Sequence, residues 1–396
     1  MTDGPPLGGL RVVDLSRVLA GPYCTMMLAD LGADVVKIER PGEGDETRTW
    51  GPPYAGGEAA YFLSVNRSKR SVAVDLKHAA GRTLALELCS RADVVIENFR
   101  PGAAERLGLH TAAIRARNPA IVYCSITGFG PREPRNRPGY DFVVQAESGL
   151  MAITGEPDGA PAKVGVALVD VLTGLHAAVA IVAALRRREV TGTGDRIEVS
   201  LLDSAFSSLV NVAQSALVTG TEPERYGNAH ASIVPYQPFR AADGWIVVAA
   251  ANDGLFTRLC GTLGLSELTA DERFATNASR VRNRAALIPL LEDAFVARSA
   301  DEWVIALDAA GVPAGKIRGV LEALRSAAPA TVRVDHPRAG ELELVAPPFA
   351  LASGPLGPPA PPPLLGQHTR EVLREAGVDE RRIAELEEQG VIQSAT

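Results

Sequence analysis

The segment GVALVDVLTGLHAAVAIVAALRRR, residues 165–188, contains a single acid, Asp170, ahead of a long apolar stretch. Asp170 has no charged residue within five positions before it or fifteen positions after it. Two roles fit such a carboxylate. Aspartate caps helix N-termini by accepting a backbone N–H bond, which stabilises a helix by about 1 kcal/mol. A helix N-terminus also keeps a carboxylate ionised, and therefore available as a nucleophile. The residues alone do not separate capping from catalysis.

Several other kinds of site are absent from the sequence. It contains no GxxxxGK[ST] loop for a nucleotide phosphate, no GxGxxG after a strand and no GxSxG elbow. HExxH and close groupings of His and Cys are also missing, so no metal site is predicted. The four cysteines lie far apart and are expected to be reduced and buried. Of the six scattered histidines, only His230 lies in a glycine-bearing loop, and it stays a candidate.

Length and composition indicate a soluble protein of two domains. The chain has 396 residues, more than one ordinary core contains, and 46% of them are hydrophobic. The net charge of −7, with both signs interspersed, argues against a nucleic-acid surface. No secretory leader is recognisable at the start, so a cytoplasmic location is expected. The longest apolar run, residues 175–185, is too short for a membrane span and predicts a buried helix.

Strand and helix patterns alternate in the first third of the chain. Short apolar strands are predicted at residues 10–15, 34–39, 71–76, 93–99 and 121–127. The helical stretches between them predict an α/β fold, a parallel sheet with helices on both faces. Ligands of such sheets bind at the carboxyl ends of the strands, so the residues that follow the strands should form one rim. They include Ser16 to Leu19, Arg40, Asn98, Phe99 and Thr127 to Phe129.

The rest of the chain predicts a second unit and then a return to the first. A polar loop at residues 219–232 is typical of a domain boundary, and GWIVVAA begins the next unit at residue 244. Ser299 and Glu302 have the spacing of a capping box at a helix start. Further elements are helices at 171–188 and 203–218, strands at 196–201 and within 332–349, a proline-rich linker at 354–366 and a helical tail at 369–391.

Blocks along nearly the whole chain resemble, in order, the class III CoA-transferases of the CaiB/BaiF type. The opening LGGLRVVDLSRVLAGPYCTMMLADLGADVVKIERPGEGDETR is similar to the start of that family. Other similar blocks are NRSKRSVAVDLK, VVIENFRPGAAERLG, RPGYDFVVQAESG, GVALVDVLTG, GVPAGKI and PPPLLGQHTREVL. GNAHASIVPYQPFRAADGWIVVAA, residues 227–250, most resembles the branch that includes succinate–hydroxymethylglutarate CoA-transferase.

The resemblance implies the fold, the domains and the assembly. It implies a large Rossmann-like domain with a parallel sheet, formed by residues 1–220. A smaller α+β domain is expected at residues 221–330, and residues 331–396 form a linker and a C-terminal return to the large domain. Family members form homodimers in which two chains interlock as rings, and the same assembly is expected here. No nucleic-acid or membrane partner is expected.

The resemblance also assigns Asp170 a role, that of the family's nucleophile. The matching aspartate attacks a donor acyl-CoA to form a mixed anhydride, and the released CoA thiolate then gives an aspartyl-CoA thioester. An acceptor carboxylic acid finally takes the CoA. The implied substrates are acyl-CoA, with succinyl-CoA or another dicarboxyl-CoA as donor, and a small carboxylic acid. Coenzyme A thioester is thus a substrate, and no tightly bound cofactor is expected.

Further site residues follow from the matched blocks. Val18, Leu19 and Ala20 match the loop near the thioester, and the Leu19 amide is the candidate oxyanion donor. Gly227 and His230 match the region that covers the active site. The residues that match CoA-binding positions of the family are Arg40, Asn98, Phe99, Arg106 and Tyr140. Taken singly, the arginines would be ordinary solvated charges and Tyr140 a packed aromatic.

Departures from the sequence patterns of related enzymes reduce the number of activities that fit this chain. Formyl-CoA transferases have a histidine and a glutamine where this chain has Arg17 and Leu19, which argues against a formyl and oxalyl substrate pair. An α-methylacyl-CoA racemase is the nearest alternative, but its GHD histidine is replaced here by Tyr140, a poor base at neutral pH. A non-catalytic CoA-binding protein is the third possibility. Arg48, Arg70 and Arg225 are the candidates for binding the distal carboxylate of a dicarboxylic acid.

Overall fold

The strands predicted in the first third of the chain are present, and all of them belong to one sheet. The computed structural model describes residues 4–130, 137–327, 330–352 and 356–395. Its strands are β1 (Arg11–Asp14), β2 (Asp34–Glu39), β3 (Tyr54–Ala55), β4 (Glu58–Ala59), β5 (Lys69–Val74), β6 (Val94–Glu97), β7 (Val122–Thr127), β8 (Arg196–Ser200), β9 (Tyr236–Arg240), β10 (Trp245–Ala249), β11 (Ala314–Lys316), β12 (Thr331–His336), β13 (Gly340–Val345) and β14 (Ile392–Gln393).

The helices alternate with these strands in the first half of the chain and dominate the middle. They are α1 (Ala20–Asp30), α2 (Ala60–Val65), α3 (Ala79–Ser90), α4 (Ala103–Leu107), α5 (Thr111–Arg115), α6 (Asp141–Glu147), α7 (Leu168–Thr191), α8 (Leu201–Ser208), α9 (Val210–Thr219), α10 (Asp253–Leu263), α11 (Asn277–Arg282), α12 (Arg284–Phe295), α13 (Ala300–Ala309), α14 (Val320–Ser326), α15 (Thr369–Glu375) and α16 (Glu380–Glu388).

The seven-stranded sheet has the order β14-β5-β2-β1-β6-β7-β8. All neighbouring strands pair in parallel except β14, which runs antiparallel to β5 at the edge. The strand order reverses direction at β1, which lies between β2 and β6. Such a reversal leaves a crevice at the carboxyl ends of the strands, where ligands of open α/β sheets bind. The predicted α/β class with a parallel sheet is confirmed.

Helices cover both faces of the sheet because alternate strand residues enter different cores. Val13 of β1 packs with residues of α3, α5, α15 and α16, whereas Val12 packs with residues of α1, α7 and α8. On the second face, α1 and α7 approach closely at Gly174. A Cβ atom there would lie 2.7 Å from the Ala20 carbonyl oxygen, so glycine allows this contact.

Two helical regions differ from the sequence prediction. The helix predicted at residues 171–188 is longer, and α7 begins at Leu168 and ends at Thr191. Among the described residues α7 is long and apolar enough to cross a membrane, but its buried side joins the core of the sheet. The helix predicted at 203–218 is two helices, α8 and α9, bent by 79°. The bend occurs where Val210 has a φ of 32°, which interrupts the helical hydrogen bonds.

The described chain divides into two units. The first comprises residues 1–150, 164–218 and 329–396, and contains the seven-stranded sheet and the β12–β13 hairpin. The second comprises residues 151–163 and 219–328. Residues 151–163 therefore cluster with the second unit, whereas the sequence analysis assigns them to the large domain. The chain leaves the first unit twice, and the shorter excursion contains the Gly- and Pro-rich stretch GEPDGAPA, residues 155–162.

The second unit contains the antiparallel sheet β11-β10-β9 and the helices α10 to α14. Its core includes a stacked pair, Phe239 and Phe295, and Trp303, whose indole N–H donates to the Phe295 carbonyl oxygen at 2.7 Å. The predicted capping box is present, because Ser299 and Glu302 each accept a backbone N–H from the other. This unit also holds Gly227 and His230.

The C-terminal segment returns to the first unit. Residues 356–363 of the predicted linker contain no helix or strand, and residues 354 and 355 lie outside the described residues. The predicted helical tail consists of α15 and α16, followed by β14. Thr369 fixes this return, since its hydroxyl accepts from the Ala73 N–H at 3.1 Å and donates to the Gln393 carbonyl oxygen at 2.7 Å.

Candidate active site

A cavity of about 650 Å³ lies at the carboxyl ends of β1, β6 and β7, and all of its lining residues belong to the first unit. The structure brings together here seven of the residues that the resemblance implies for the site: Val18, Leu19, Ala20, Asn98, Phe99, Tyr140 and Asp170. Arg17 and Thr127 to Phe129, which the sequence analysis places on the same rim, also line the cavity. Arg40 and Arg106 are exposed and do not line this cavity. Gly227 and His230 belong to the second unit. The roles predicted for all of these residues stay predictions, whether or not the residues line the cavity.

Asp170 is the third residue of α7 and does not cap it. The N-cap position is Ala167, which has no side-chain capping bond. Asp141 supplies the cap from outside the helix, because its Oδ1 atom accepts the Val169 N–H at 2.8 Å and the Asp170 N–H at 3.3 Å. The capping role considered for Asp170 is therefore wrong. No hydrogen bond to the Asp170 carboxylate is found among the described residues.

The surroundings of Asp170 disfavour its charged form. Burial raises the pKa of Asp170 to about 7, and the negative charge of Asp141 contributes to the same shift. Asp141 already accepts the first N–H groups of α7, so these groups do not hydrogen-bond the Asp170 carboxylate and do not offset the effect of burial. At neutral pH a substantial fraction of Asp170 is still a carboxylate, and that carboxylate is weakly solvated and lacks hydrogen bonds that would reduce its nucleophilicity.

The loop of residues 16–20 lines the cavity together with Asp170. Val18 has a φ of 70°, in the left-handed region that β-branched residues rarely adopt. No acceptor for the Leu19 N–H is found among the described residues, so this group is available to a ligand. The loop turns tightly into α1, and a Cβ atom on Gly21 would lie 2.2 Å from the Ser16 Oγ atom. Glycine is therefore required at the turn.

Two buried ion pairs lie beneath this loop, and the sequence analysis missed them. Lys37 Nζ is 2.9 Å from Asp45 Oδ2, and Lys69 Nζ is 3.2 Å from Asp14 Oδ2. Burial lowers the pKa of Lys69 to about 8, although the Asp14 charge opposes this shift. A signal was present, because Asp14 and Lys37 directly follow pairs of valines in the strand segments LRVVDL and DVVKIE.

Tyr61 is a further residue near Asp170 that the sequence analysis did not identify. It packs in a small cluster with Val18 and Val171, and the Trp50 ring meets it edge to face at 5.2 Å. Burial raises the pKa of Tyr61 to about 12, and the charge of Asp170 adds to the shift. The Tyr61 hydroxyl is therefore neutral at neutral pH. Only the fold reveals this proximity, because Tyr61 and Asp170 are far apart in the sequence.

The residues expected to bind CoA have varied surroundings. The Phe99 N–H donates to Glu97 Oε2 at 2.7 Å, and the Asn98 side chain bonds to the Arg17 backbone. Contacts of these groups to CoA would compete with those bonds. Arg40 is paired with Glu43 at 2.7 Å on the surface. Arg100 lines the cavity, and no ion pair of its guanidinium is found in the described part of the chain, so it is suited to a phosphate.

The structure separates the three arginines considered for a distal carboxylate. Arg48 is buried and paired with Glu39 and Glu58, and Arg70 is paired with Asp34 and two glutamates of α15. Both guanidinium groups are therefore occupied. Arg225, in the second unit, has a buried Nη1 atom with no hydrogen-bond partner within the described ranges. The prediction that an arginine binds the distal carboxylate thus depends on Arg225.

Metal chemistry has no support in the described residues, which contain no group of three or more His, Cys, Asp or Glu side chains that could hold a metal ion. The four cysteines are buried and unpaired. The chemical groups that line the cavity include the Asp170 carboxyl, several glutamates, arginines and backbone N–H groups.

The comparisons with known proteins all indicate the same protein family. A family model described as CoA-transferase family III matches residues 7–369. The chain is 43% identical to the succinyl-CoA:glutarate CoA-transferase of Homo sapiens, over 99% of this chain and 91% of the human protein. It is 42% identical to the succinate–glutarate CoA-transferase of Agrobacterium fabrum, over 95% of this chain and 97% of that protein. A crystal structure of a CaiB/BaiF family protein from Brucella suis superposes with a TM-score of 0.85, at 42% identity over 94% of this chain and all of that one.

Proposed function

The chain belongs to CoA-transferase family III, and from this premise we propose that it transfers CoA from succinyl-CoA to a dicarboxylic acid such as glutarate, with Asp170 as nucleophile. The observation that carries the proposal is the position of Asp170. Asp170 lines the same cavity as Leu19, whose N–H has no acceptor among the described residues, and no hydrogen bond to the Asp170 carboxylate is found there either. The substrates are proposed from the names of the human and Agrobacterium fabrum relatives.

The first half of the reaction loads CoA onto the protein. A carboxylate oxygen of Asp170 attacks the thioester carbonyl of the donor, the C–S bond breaks, and the CoA thiolate leaves. The donor acyl group is then held on Asp170 as a mixed anhydride. The thiolate attacks the aspartyl carbonyl carbon, the anhydride C–O bond breaks, and the donor acid leaves as a carboxylate. Asp170 now carries CoA as a thioester, so the energy of the original thioester is retained.

The second half repeats these steps with the acceptor. The acceptor carboxylate attacks the aspartyl-CoA carbonyl and displaces the thiolate, which leaves an anhydride between acceptor and Asp170. The thiolate then attacks the acceptor carbonyl, which yields acceptor-CoA and the free Asp170 carboxylate. Each tetrahedral intermediate carries an oxyanion, and we assign the Leu19 N–H as its donor. A fixed backbone donor of this kind typically contributes about 3 kcal/mol to transition-state stabilisation.

We also propose that the protein acts as the interlocked homodimer expected of the family. Apolar side chains are exposed on α7 and on α9, where none of the residues is buried. Val179 is 70% exposed, and Leu217 and Val218 are 79% and 76% exposed. Helices that expose several large apolar side chains are candidates for a protein–protein interface. Size-exclusion chromatography with light scattering tests the dimer, and a monomer at micromolar concentration would contradict it.

The test of the activity is intact-protein mass spectrometry after brief mixing with succinyl-CoA. We expect an adduct of succinyl or CoA mass that hydroxylamine removes. Asp170→Asn should form no adduct, whereas the matched variant Asp141→Asn, which keeps the nucleophile, should still form one. An adduct that persists in Asp170→Asn would refute the assigned nucleophile.

A panel of other acyl-CoA donors separates the remaining possibilities. An adduct with glutaryl-CoA but not with succinyl-CoA would keep the mechanism and change the donor. Exchange of the α-proton of a 2-methylacyl-CoA with deuterated water, without any adduct, would replace the transferase with a racemase. Binding of CoA without adduct or exchange would indicate a non-catalytic protein.

A further inference from the structure

Asn98 holds the backbone of the 16–20 loop with both atoms of its side-chain amide. Its Oδ1 atom accepts the Arg17 N–H at 2.9 Å, and its Nδ2 group donates to the Arg17 carbonyl oxygen at 2.7 Å. This paired contact fixes the peptide groups on both sides of Arg17. Because Asn98 follows β6 and Arg17 follows β1, the contact joins two neighbouring strand ends at the cavity.

Val18, the residue that follows Arg17, has a strained backbone conformation. Val18 has a φ of 70°, and such a conformation in a non-glycine residue persists only when surrounding contacts impose it. The Val18 N–H points to the Asp45 carboxylate at 3.3 Å, and Lys37, which pairs with Asp45, donates to the Ser16 carbonyl oxygen at 2.8 Å. The loop is therefore held from below by a buried ion pair and from the side by Asn98.

We propose that Asn98 is a positioning residue for CoA transfer, which keeps Arg17 and Val18 in the conformation that presents the Leu19 N–H beside Asp170. The inference rests on the proposed function, because the Leu19 N–H matters only if an oxyanion forms at Asp170. It assigns the Asn98 side chain to the loop, whereas the family resemblance assigns Asn98 to CoA. Loss of the contact should let Val18 relax towards a negative φ and withdraw the donor.

Asn118 offers a matched control. It also uses both amide atoms on backbone groups, since Nδ2 donates to the Ala92 carbonyl oxygen at 2.9 Å and Oδ1 accepts the Ala120 N–H at 3.0 Å. Asn118 and Asn98 are both half-buried. Asn118 precedes β7, however, and so lies at the amino ends of the parallel strands, whereas the cavity lies at their carboxyl ends. Asn118→Ala removes the same kind of hydrogen bonds without touching the 16–20 loop.

The test compares the steady-state constants and the rate of adduct formation with succinyl-CoA in four variants. Asn98→Ala should lower kcat by roughly 10- to 100-fold, the range that backbone strain of this kind implies, with KM for succinyl-CoA changed by less than about 3-fold. Asn118→Ala should change kcat by less than about 2-fold. Val18→Gly combined with Asn98→Ala should recover at least about 5-fold of the lost kcat, because glycine adopts a positive φ without strain. Val18→Gly alone calibrates the cost of that change.

The outcomes distinguish the positioning role from its alternatives. An unchanged kcat in Asn98→Ala would overturn the inference, and so would a loss confined to KM, which would indicate direct contact with CoA. If the double variant recovers no kcat relative to Asn98→Ala, the strained backbone of Val18 is not what Asn98 controls. If the wild-type protein forms no adduct at Asp170, the proposed function fails instead. Hydrogen exchange at the amides of residues 17–19, faster in Asn98→Ala than in Asn118→Ala, measures the restraint independently of activity.

Discussion

Asp141→Asn is the substitution that best tests the electrostatics of the nucleophile. Asn retains an oxygen that can accept the Val169 and Asp170 N–H groups, so the cap of α7 can persist while the negative charge disappears. The Asp141 charge is the second cause, after burial, of the raised pKa of Asp170. Removing it should therefore lower that pKa and leave the shift caused by burial.

The size of the effect follows from the geometry. Asp141 Oδ1 lies 3.3 Å from the Asp170 backbone nitrogen. Ordinary bond lengths then place the two carboxylates on the order of 6 Å apart. Coulomb's law gives roughly 1 to 2 pKa units for like charges at that distance, with an effective dielectric constant of about 20 to 40. Burial accounts for more of the rise from 3.8 to about 7 than Asp141 does, so we expect the lower end, about one unit.

The assay is the pH dependence of kcat/KM for succinyl-CoA, which reports the free enzyme. Only the ionised Asp170 attacks, so activity falls as the pH drops through its pKa. In the wild type this acid limb should lie near pH 7. In Asp141→Asn it should move down by about one unit, and at pH 6 the variant should retain about a 5-fold larger fraction of its maximum than the wild type does.

Gln145→Ala is the control for this experiment. It removes the 2.6 Å hydrogen bond from Gln145 to Asp141 but keeps the Asp141 charge, so the acid limb should stay in place. The reasoning is refuted if Asp141→Asn still forms the adduct and its acid limb does not move, or moves to higher pH.

Three further predictions concern stability and substrate binding. The pKa of Asp170 rises from an unfolded value of 3.8 to about 7, so its charge destabilises the fold increasingly from about pH 4 to pH 7. Asp170→Asn should raise the unfolding free energy by about 4 kcal/mol at pH 8, with little change at pH 4, measured by denaturant titration. Gly174→Ala, whose Cβ would meet a backbone oxygen, should lower the unfolding free energy by about 1–3 kcal/mol. Its control Gly261→Ala, whose Cβ would have nothing within 4 Å, should leave the unfolding free energy unchanged or raise it by up to about 1 kcal/mol. Equal effects of the two substitutions would contradict the packing argument. Arg225→Gln should raise KM for glutarate by at least about 10-fold without weakening the binding of free CoA, and an unchanged KM would remove Arg225 from substrate binding.

Much of the secondary structure in both units could be predicted from the sequence because its signals are local. The strand DVVKIE was predicted with the bounds that β2 has, and the capping box of Ser299 is present as expected. Period and capping depend on residues a few positions apart, which a sequence displays directly. The bend between α8 and α9 was not predictable in this way, because it depends on the conformation of Val210 and on packing rather than on a breaking residue.

Part of the candidate site could likewise be predicted from the sequence, and part of it depended on the tertiary structure. By itself the sequence singled out Asp170 as an isolated acid, and the resemblance of its blocks to a known family implied the role of nucleophile, which stays a proposal. The sequence left open whether Asp170 caps α7, and it suggested an ionised carboxylate. The structure decided both questions, because Asp141 caps the helix from a different segment and its charge, together with burial, raises the pKa of Asp170.

The pairing of distant residues was decided only by the tertiary structure. Asn98 and Arg17 are 81 positions apart, and Tyr61 meets the surroundings of Asp170 from a helix more than one hundred positions earlier. Composition and spacing show which residues could do chemistry, since residue type and local periodicity are properties of the chain. Which of those residues are paired, buried or free depends on how strands of different segments lie side by side, and that is fixed by packing of the whole unit.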